Sequence, residues 1–155
     1  MKGLTLSQVG HLVNIIPPID INGGVTGDVF SMENYSHATI VIQVGVSAAA
    51  FTKIILNECT SFGAAGATAI GYSLYAEETA AGDTLAAVEA VAAAGKTPSA
   101  NDNIFYVIEL DASELSDGSH FVQLSLTNAS GNSVIASALA ILTGARYAPG
   151  ATAIA

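Results

Sequence analysis

Three histidines and one cysteine are the side chains best suited to metal binding or nucleophilic chemistry. His11, His37 and His120 are far apart, with no HxH or HxxxH spacing, and Cys59 has no second cysteine. Transition-metal sites commonly show paired ligands at short spacing, and nucleophiles commonly lie in motifs such as GxSxG. Neither signal is present, so we predict no metal, no cofactor and no catalytic residue. The histidines are interpreted as surface or hydrogen-bonded side chains.

Carboxylates are the next groups that could do chemistry, since the chain has thirteen Asp and Glu residues. Glycoside hydrolysis needs two of them facing each other across a cleft. Such clefts are usually lined with aromatic side chains, but the chain has no Trp and an aromatic content of 6%. The adjacent Glu77 and Glu78 would point to opposite sides of a strand. We therefore predict that the protein is not an enzyme.

Positive charge is scarce and scattered. Lys2, Lys53, Lys96 and Arg146 stand singly against the thirteen acidic residues, which gives a formal net charge of -9. Binding to nucleic acid or to an anionic membrane requires clustered cations. We predict neither kind of binding. A single cysteine cannot close an intrachain disulfide, and the segment MKGLTLSQVGHLVNII lacks the apolar block of a signal peptide, so we expect folding in a reducing cytoplasm.

Charged residues of both signs make up 11% of the chain, whereas an ordinary soluble domain has about 25%. Two interpretations remain open. The surface could be covered by Ser, Thr, Asn, Gly and Ala, or a large part of it could contact other subunits, where charge is depleted. We favour the second. The lone Arg146 should have a carboxylate partner, and an intrachain partner is slightly favoured over one in another subunit.

Apolar residues at every second position predict strands along most of the chain. The pattern is clear in five segments: SHATIVIQVGV, TKIILNECT, TAIGYSLYAE, NIFYVIEL and HFVQLSLTN. The segment SVIASALAIL is apolar on both faces, as in a central or covered strand. With turn residues between them, about seven or eight such strands predict an all-β protein, an antiparallel β-sandwich of the jelly-roll or Greek-key type.

The predicted organisation is an N-terminal arm at 1–22, a β-sandwich domain at 23–147 and a C-terminal tail at 148–155. The arm is predicted because Pro17 and Pro18 stop regular strand pairing. Residues 83–95 could be helix or strand, and we favour strand because strands flank them. The segment DASEL has a capping-box spacing and predicts one helical turn.

Three segments together resemble a family of small virion proteins of tailed bacteriophages. They are ENYSHATIVIQVGV, NIFYVIELDASEL and ILTGARYA, and the resemblance extends from about Asp28 to Tyr147. Related cement or decoration proteins sit as homotrimers on the outside of the capsid and bridge neighbouring capsid subunits. The resemblance implies a structural protein of the capsid surface, assembled in the bacterial host cytoplasm, with itself and the major capsid protein as partners.

The residues that we predict at an interface flank the sandwich: Pro17, Pro18, Arg146 and Tyr147. Alternatives to the cement protein are a tail or head–tail joining subunit, a host- or carbohydrate-binding sandwich, and, last, a small hydrolase. A sugar-binding sandwich would show an exposed aromatic platform, and a hydrolase would show a pocket with convergent titratable groups.

Overall fold

The computed structural model describes residues 5–77 and 85–146. Within these ranges a one-turn helix, α1 (Leu6–Val9), precedes eleven strands. The strands are β1 (Gly10–Asp20), β2 (Val25–Thr26), β3 (Phe30–Ser31), β4 (Tyr35–Ser47), β5 (Lys53–Cys59), β6 (Thr68–Ile70), β7 (Tyr72–Glu77), β8 (Glu89–Val91), β9 (Ile104–Asp111), β10 (Phe121–Thr127) and β11 (Val134–Ala145).

The strands form two antiparallel sheets that enclose one hydrophobic core. The six-stranded sheet has the order β1-β11-β4-β9-β7-β8, and the second sheet has the order β2-β10-β5-β6, with β3 also paired to β10. Every second side chain of the long strands enters the core, as Ile40, Ile108 and Leu124 do. The predicted all-β antiparallel sandwich is confirmed.

The segment that contains Pro17 and Pro18 is a strand of the sandwich and not an arm. It forms β1, which pairs with β11 and buries Ile15 and Ile16 in the core. The two prolines are exposed and lie where the register shifts between Ile16 and Ile19. Because β1 is an edge strand, the missing proline N–H groups need no partner there. The predicted N-terminal arm is therefore wrong for this segment.

The segment TAIGYSLYAE is two strands rather than one. The chain passes from β6 in the second sheet to β7 in the six-stranded sheet, and Gly71 lies between them. A Cβ on Gly71 would lie 2.9 Å from the carbonyl oxygen of Val91. Glycine is required at this crossing because β8 passes so close to it.

The ambiguous segment at residues 83–95 contains strand β8, which pairs with β7. The preference for strand is confirmed for these three residues, and residues 83 and 84 lie outside the described ranges. A turn follows, in which Gly95 has a φ of 80°. The segment DASEL contains the expected helical turn, a single 3-10 turn at Ala112–Glu114. The Glu114 carboxylate accepts a hydrogen bond from the Asp111 N–H at 2.8 Å.

Candidate interaction surface

The six-stranded sheet turns one of its faces away from the core, and we call this surface the outer face. Paired residues of neighbouring strands lie on the same side of a sheet, so the register defines the face in rows. The outer face has four rows, which follow the register: Gly10–Thr143–His37–Asp111, Leu12–Ile141–Thr39–Glu109–Ser73, Asn14–Leu139–Val41–Val107–Tyr75, and Ser137–Gln43–Phe105–Glu77.

The middle of the outer face is apolar although it is open to solvent. Leu12 is 53% exposed and Leu139 is 36% exposed, and Val41, Val107 and Tyr75 are half-buried beside them. A sheet face that is covered only by water normally alternates to polar residues. Extended apolar patches of this kind mark surfaces that contact another protein.

The outward side of the second sheet has the opposite character. Gln123 pairs with Asn57 and Thr127 pairs with Lys53, so polar side chains face each other across β10 and β5. Ser125 lies between them on the same side and pairs with the half-buried Ile55, and Phe121 lies at the end of the same side. This outward side is mostly polar, as in an ordinary sandwich. The two sides of the molecule therefore differ, and the outer face is the one suited to a protein partner.

The sheet edges in the described part of the chain are poor sites for adding a strand. At the edges, β1 has the two exposed prolines, β8 and β6 have three residues each, and β2 has two. Proline and short length both prevent a neighbouring chain from pairing along an edge. Any protein partner is therefore expected to bind mainly through side chains of a face.

An ion-paired cluster of three side chains lies at one end of the outer face, and we call it the acid–histidine cluster. His37 Nε2 is 2.7 Å from Glu109 Oε2, and His37 Nδ1 is 2.8 Å from Asp111 Oδ1. The Thr39 hydroxyl also donates to Glu109 Oε2, at 2.8 Å. Ionised carboxylates only accept hydrogen bonds, so both ring nitrogens donate when the imidazole is protonated.

Protonation of His37 is favoured by this arrangement. Burial by itself lowers the pKa of His37, but the hydrogen bonds from its ring to Asp111 and Glu109, together with their negative charges, outweigh burial. The net result is a pKa raised above the ordinary histidine value of 6.5. The cluster therefore stabilises β4 against β9 most strongly when His37 carries its positive charge.

We expect the free energy of unfolding to fall as the pH rises through the raised pKa of His37. The stabilising contribution of the cluster is fully present below the pKa of His37 in the unfolded chain, about 6.5. It is lost above the pKa of His37 in the folded protein, because that pKa is the higher of the two. The loss should be below about 1 kcal/mol, since Asp111 is exposed to screening water. Urea denaturation between about pH 5.5 and about pH 8.5 measures it. An equal pH slope in His37→Gln would contradict the assignment.

Arg146 lies directly after β11 and is exposed. Its backbone N–H donates to the Asn34 carbonyl oxygen at 2.8 Å. Within residues 5–77 and 85–146 its guanidinium forms no ion pair with a carboxylate. Glu78 and Asp83 lie outside these ranges, so a carboxylate partner within the chain and one in another subunit both stay predictions.

The other predicted interface residues lie elsewhere. Pro18, Phe105 and Ile135 line a shallow, mainly apolar depression of about 280 Å³ at the end of the outer face opposite the acid–histidine cluster. Pro17 is exposed on the edge strand. Tyr147 and the tail at 148–155 lie outside the described residues. The structure therefore brings Pro18 to the outer face and leaves Arg146 near its opposite end.

Other candidate chemistry is limited in the described part of the chain. Its His, Cys, Asp and Glu side chains form no group of three that could hold a metal ion. None of the helices described is both long enough and apolar enough to cross a membrane. Cys59 is buried, and burial together with the nearby charge of Glu58 raises the pKa of its thiol.

Comparison with known proteins gives one structural neighbour. No protein-family model and no curated protein matches the chain. The crystal structure of the SPBc2 prophage-derived protein YomS is similar, with a TM-score of 0.47 and 13% identity, over 91% of this chain and 99% of that one. A likeness of this size assigns neither a family nor a function.

Proposed function

We propose that the protein is a structural subunit of a phage virion. It binds the outside of the capsid as a homotrimer and cements neighbouring major capsid subunits, without catalysing a reaction. The observation that carries the proposal is the outer face, an apolar sheet surface open to solvent in a sandwich whose other side is polar. Such a surface is explained when another protein covers it.

The sequence resemblance and the fold point to the same part of the molecule. The segment ENYSHATIVIQVGV contains all but the last residue of β4, the segment NIFYVIELDASEL contains β9, and ILTGARYA contains the end of β11. These three strands are direct neighbours in the six-stranded sheet, in the order β11-β4-β9. The segments that resemble phage virion proteins therefore together build the centre of the outer face.

The major capsid protein is the proposed occupant of the outer face, rather than a second copy of this chain. The four rows of the face contain no Lys or Arg, although Glu109 and Asp111 lie at one end and Glu77 is in the row at the other. Two copies docked through this face would place two sets of these carboxylates in one interface, with His37 as the only cation in the rows, which opposes this arrangement. A partner with an apolar patch and few acidic groups complements the face.

Cementing then follows from mass action. A protein that binds only the assembled, expanded shell lowers the free energy of that state. The stabilisation grows with the logarithm of the ratio of the protein's free concentration to its dissociation constant. Each contact can be weak, because a trimer makes several contacts at once. After one subunit has bound, the effective concentration of the other two at their sites is high. Stability of the shell thus comes from many side-chain contacts through faces, which suits sheets with blocked edges.

The direct experiment uses the purified chain and shells stripped of it. Light scattering after size-exclusion chromatography should give trimers, and these should sediment with the stripped shells. Electron microscopy should show clusters with threefold symmetry on the capsid. A stable monomer that does not bind shells contradicts the proposal, and rings at the tail or neck identify a joining subunit instead.

Charge reversal at Arg146 tests the predicted interface residue. We expect Arg146→Glu to weaken shell binding by roughly tenfold or more, because an exposed guanidinium that meets a carboxylate is replaced by a repelling charge. Arg146→Lys keeps the charge and should retain most of the binding. Sedimentation with shells measures binding, and circular dichroism checks the fold. Unfolding of Arg146→Glu would show that the residue has a structural role within the chain.

A further inference from the structure

The acid–histidine cluster belongs to the surface that the proposed partner covers. His37 and Asp111 lie in the first row of the outer face, and Glu109 lies in the second row with the exposed Leu12. A partner that covers the apolar middle rows therefore covers or borders the cluster. The charge of the cluster then matters for docking, since docking removes water from it.

The groups around the cluster come from several elements. Among the described residues His37 is the only cation paired with Glu109 or Asp111, and Arg146 lines a depression with Ala112 and Ser113, next to Asp111. Strand β9 provides Glu109 and Asp111, and the 3-10 turn provides Glu114, whose carboxylate is bonded to the Asp111 N–H. Strands β11 and β7 place Thr143 and Ser73 beside them, which do not titrate near neutral pH. Compensation of the two bonded carboxylates therefore depends on the proton of His37.

Loss of that proton changes the cluster in two ways. The charges of Glu109, Asp111 and protonated His37 sum to one negative charge, whereas neutral His37 leaves two negative charges. A neutral imidazole also has only one N–H. Its other nitrogen is an acceptor that faces a carboxylate oxygen, which is an acceptor too, so no hydrogen bond joins them. Covering two uncompensated charges costs far more than covering a satisfied ion pair.

We propose that docking through the outer face is proton-linked, with the proton held by His37 between Glu109 and Asp111. The inference rests on the proposed function, because it describes how the same surface is regulated. Docking is tight when His37 is protonated and weakens when the proton leaves. Linkage is reciprocal, so a docked partner also increases the affinity of His37 for its proton.

The test measures binding of the intact protein to stripped capsid shells between about pH 5.5 and about pH 8.5. Wild-type affinity should fall with rising pH, by about tenfold for each unit by which docking raises the pKa of His37. His37→Gln should bind with no pH slope over this range. The matched control His120→Gln removes an exposed histidine that is not in the rows of the outer face, although it lines a depression with Arg146. It should keep the wild-type slope even if its affinity changes.

A second variant separates charge from loss of the ring. Glu109→Gln combined with Asp111→Asn removes both negative charges, so its affinity at high pH should be at least that of the wild type at low pH. Binding that is independent of pH in the wild type overturns the inference and leaves the cementing role intact. A slope shared by wild type and His37→Gln also overturns it. Absence of shell binding at every pH overturns the cementing role as well.

Discussion

Leu139→Glu is expected to abolish binding of the protein to capsid shells while the sandwich stays folded. Leu139 lies between Asn14 and Val41 in the central row of the outer face and is 36% exposed. The side chain is open enough for glutamate to reach water in the free protein. In the docked state the partner would cover the new carboxylate, and the central row contains no cation to pair with it. The cost of removing water from this charge should weaken binding by about 100-fold or more.

The matched control for Leu139→Glu is Ser125→Glu. Ser125 lies on the outward side of β10 in the second sheet and is half-buried. It receives the same charge on the side of the molecule that is already polar, and its shell binding should stay near that of the wild type. Co-sedimentation measures binding, and thermal unfolding followed by circular dichroism reports the fold. Equal binding of Leu139→Glu and the wild type would show that the outer face is not the docking surface.

Gly95→Ala is expected to lower stability more than any surface change considered above. Gly95 has a φ of 80°, and a Cβ there would lie 2.5 Å from the Ile54 carbonyl oxygen. That oxygen accepts hydrogen bonds from the Lys96 N–H at 3.0 Å and the Tyr72 hydroxyl at 2.8 Å. Relief of the clash requires β5 to move within the core, so the loss should be about 3 kcal/mol or more.

Gly118→Ala provides the control for backbone conformation alone. Gly118 has nearly the same φ, 84°, but no atom lies within 4 Å of its added Cβ. It should lose about 1 to 2 kcal/mol, which is the cost of the left-handed conformation for an L-residue. Urea denaturation of both variants measures the difference. A Gly95→Ala protein no less stable than Gly118→Ala would mean that the turn moves away from β5 without resistance.

The central strands could be predicted from sequence because their environment is regular. In β4, Ile40 and Ile42 alternate with Thr39 and Gln43, and the structure buries the first pair in the core. Strands β9 and β10 follow the same rule over their full lengths. Because one face of each strand is buried, apolar residues recur at every second position and the side chains between them point outward. The local sequence pattern is therefore sufficient to predict these strands.

Strand β1 and the crossing at Gly71 could not be predicted because they depend on position in the sheet. Proline at positions 17 and 18 indicates a break in an interior strand, but at an edge the missing N–H groups face outward. The alternation in TAIGYSLYAE continues through Gly71 although the chain changes sheets there. Only the closeness of Val91 shows why this residue is glycine.

The interaction surface was partly visible in the sequence. The apolar outward residues of SVIASALAIL, Ile135, Leu139 and Ile141, indicated a strand covered on both sides. The acid–histidine cluster was not found, because 72 residues separate His37 from Glu109 and 74 separate it from Asp111. The available signal was the spacing of Glu109 and Asp111, two apart on one face of a strand. Which histidine meets them is decided by the pairing of β4 with β9.

The blocked edges of both sheets have a consequence for the protein at high concentration. Amyloid-type fibrils grow when an exposed strand of one molecule serves as the template for a strand of the next. The exposed prolines end regular pairing in the second half of β1, and the two- and three-residue strands at the other described edges offer little backbone, so templating is limited to the first part of β1. Concentrated stocks should therefore stay free of thioflavin-positive aggregates, even though the sequence is rich in β-forming segments.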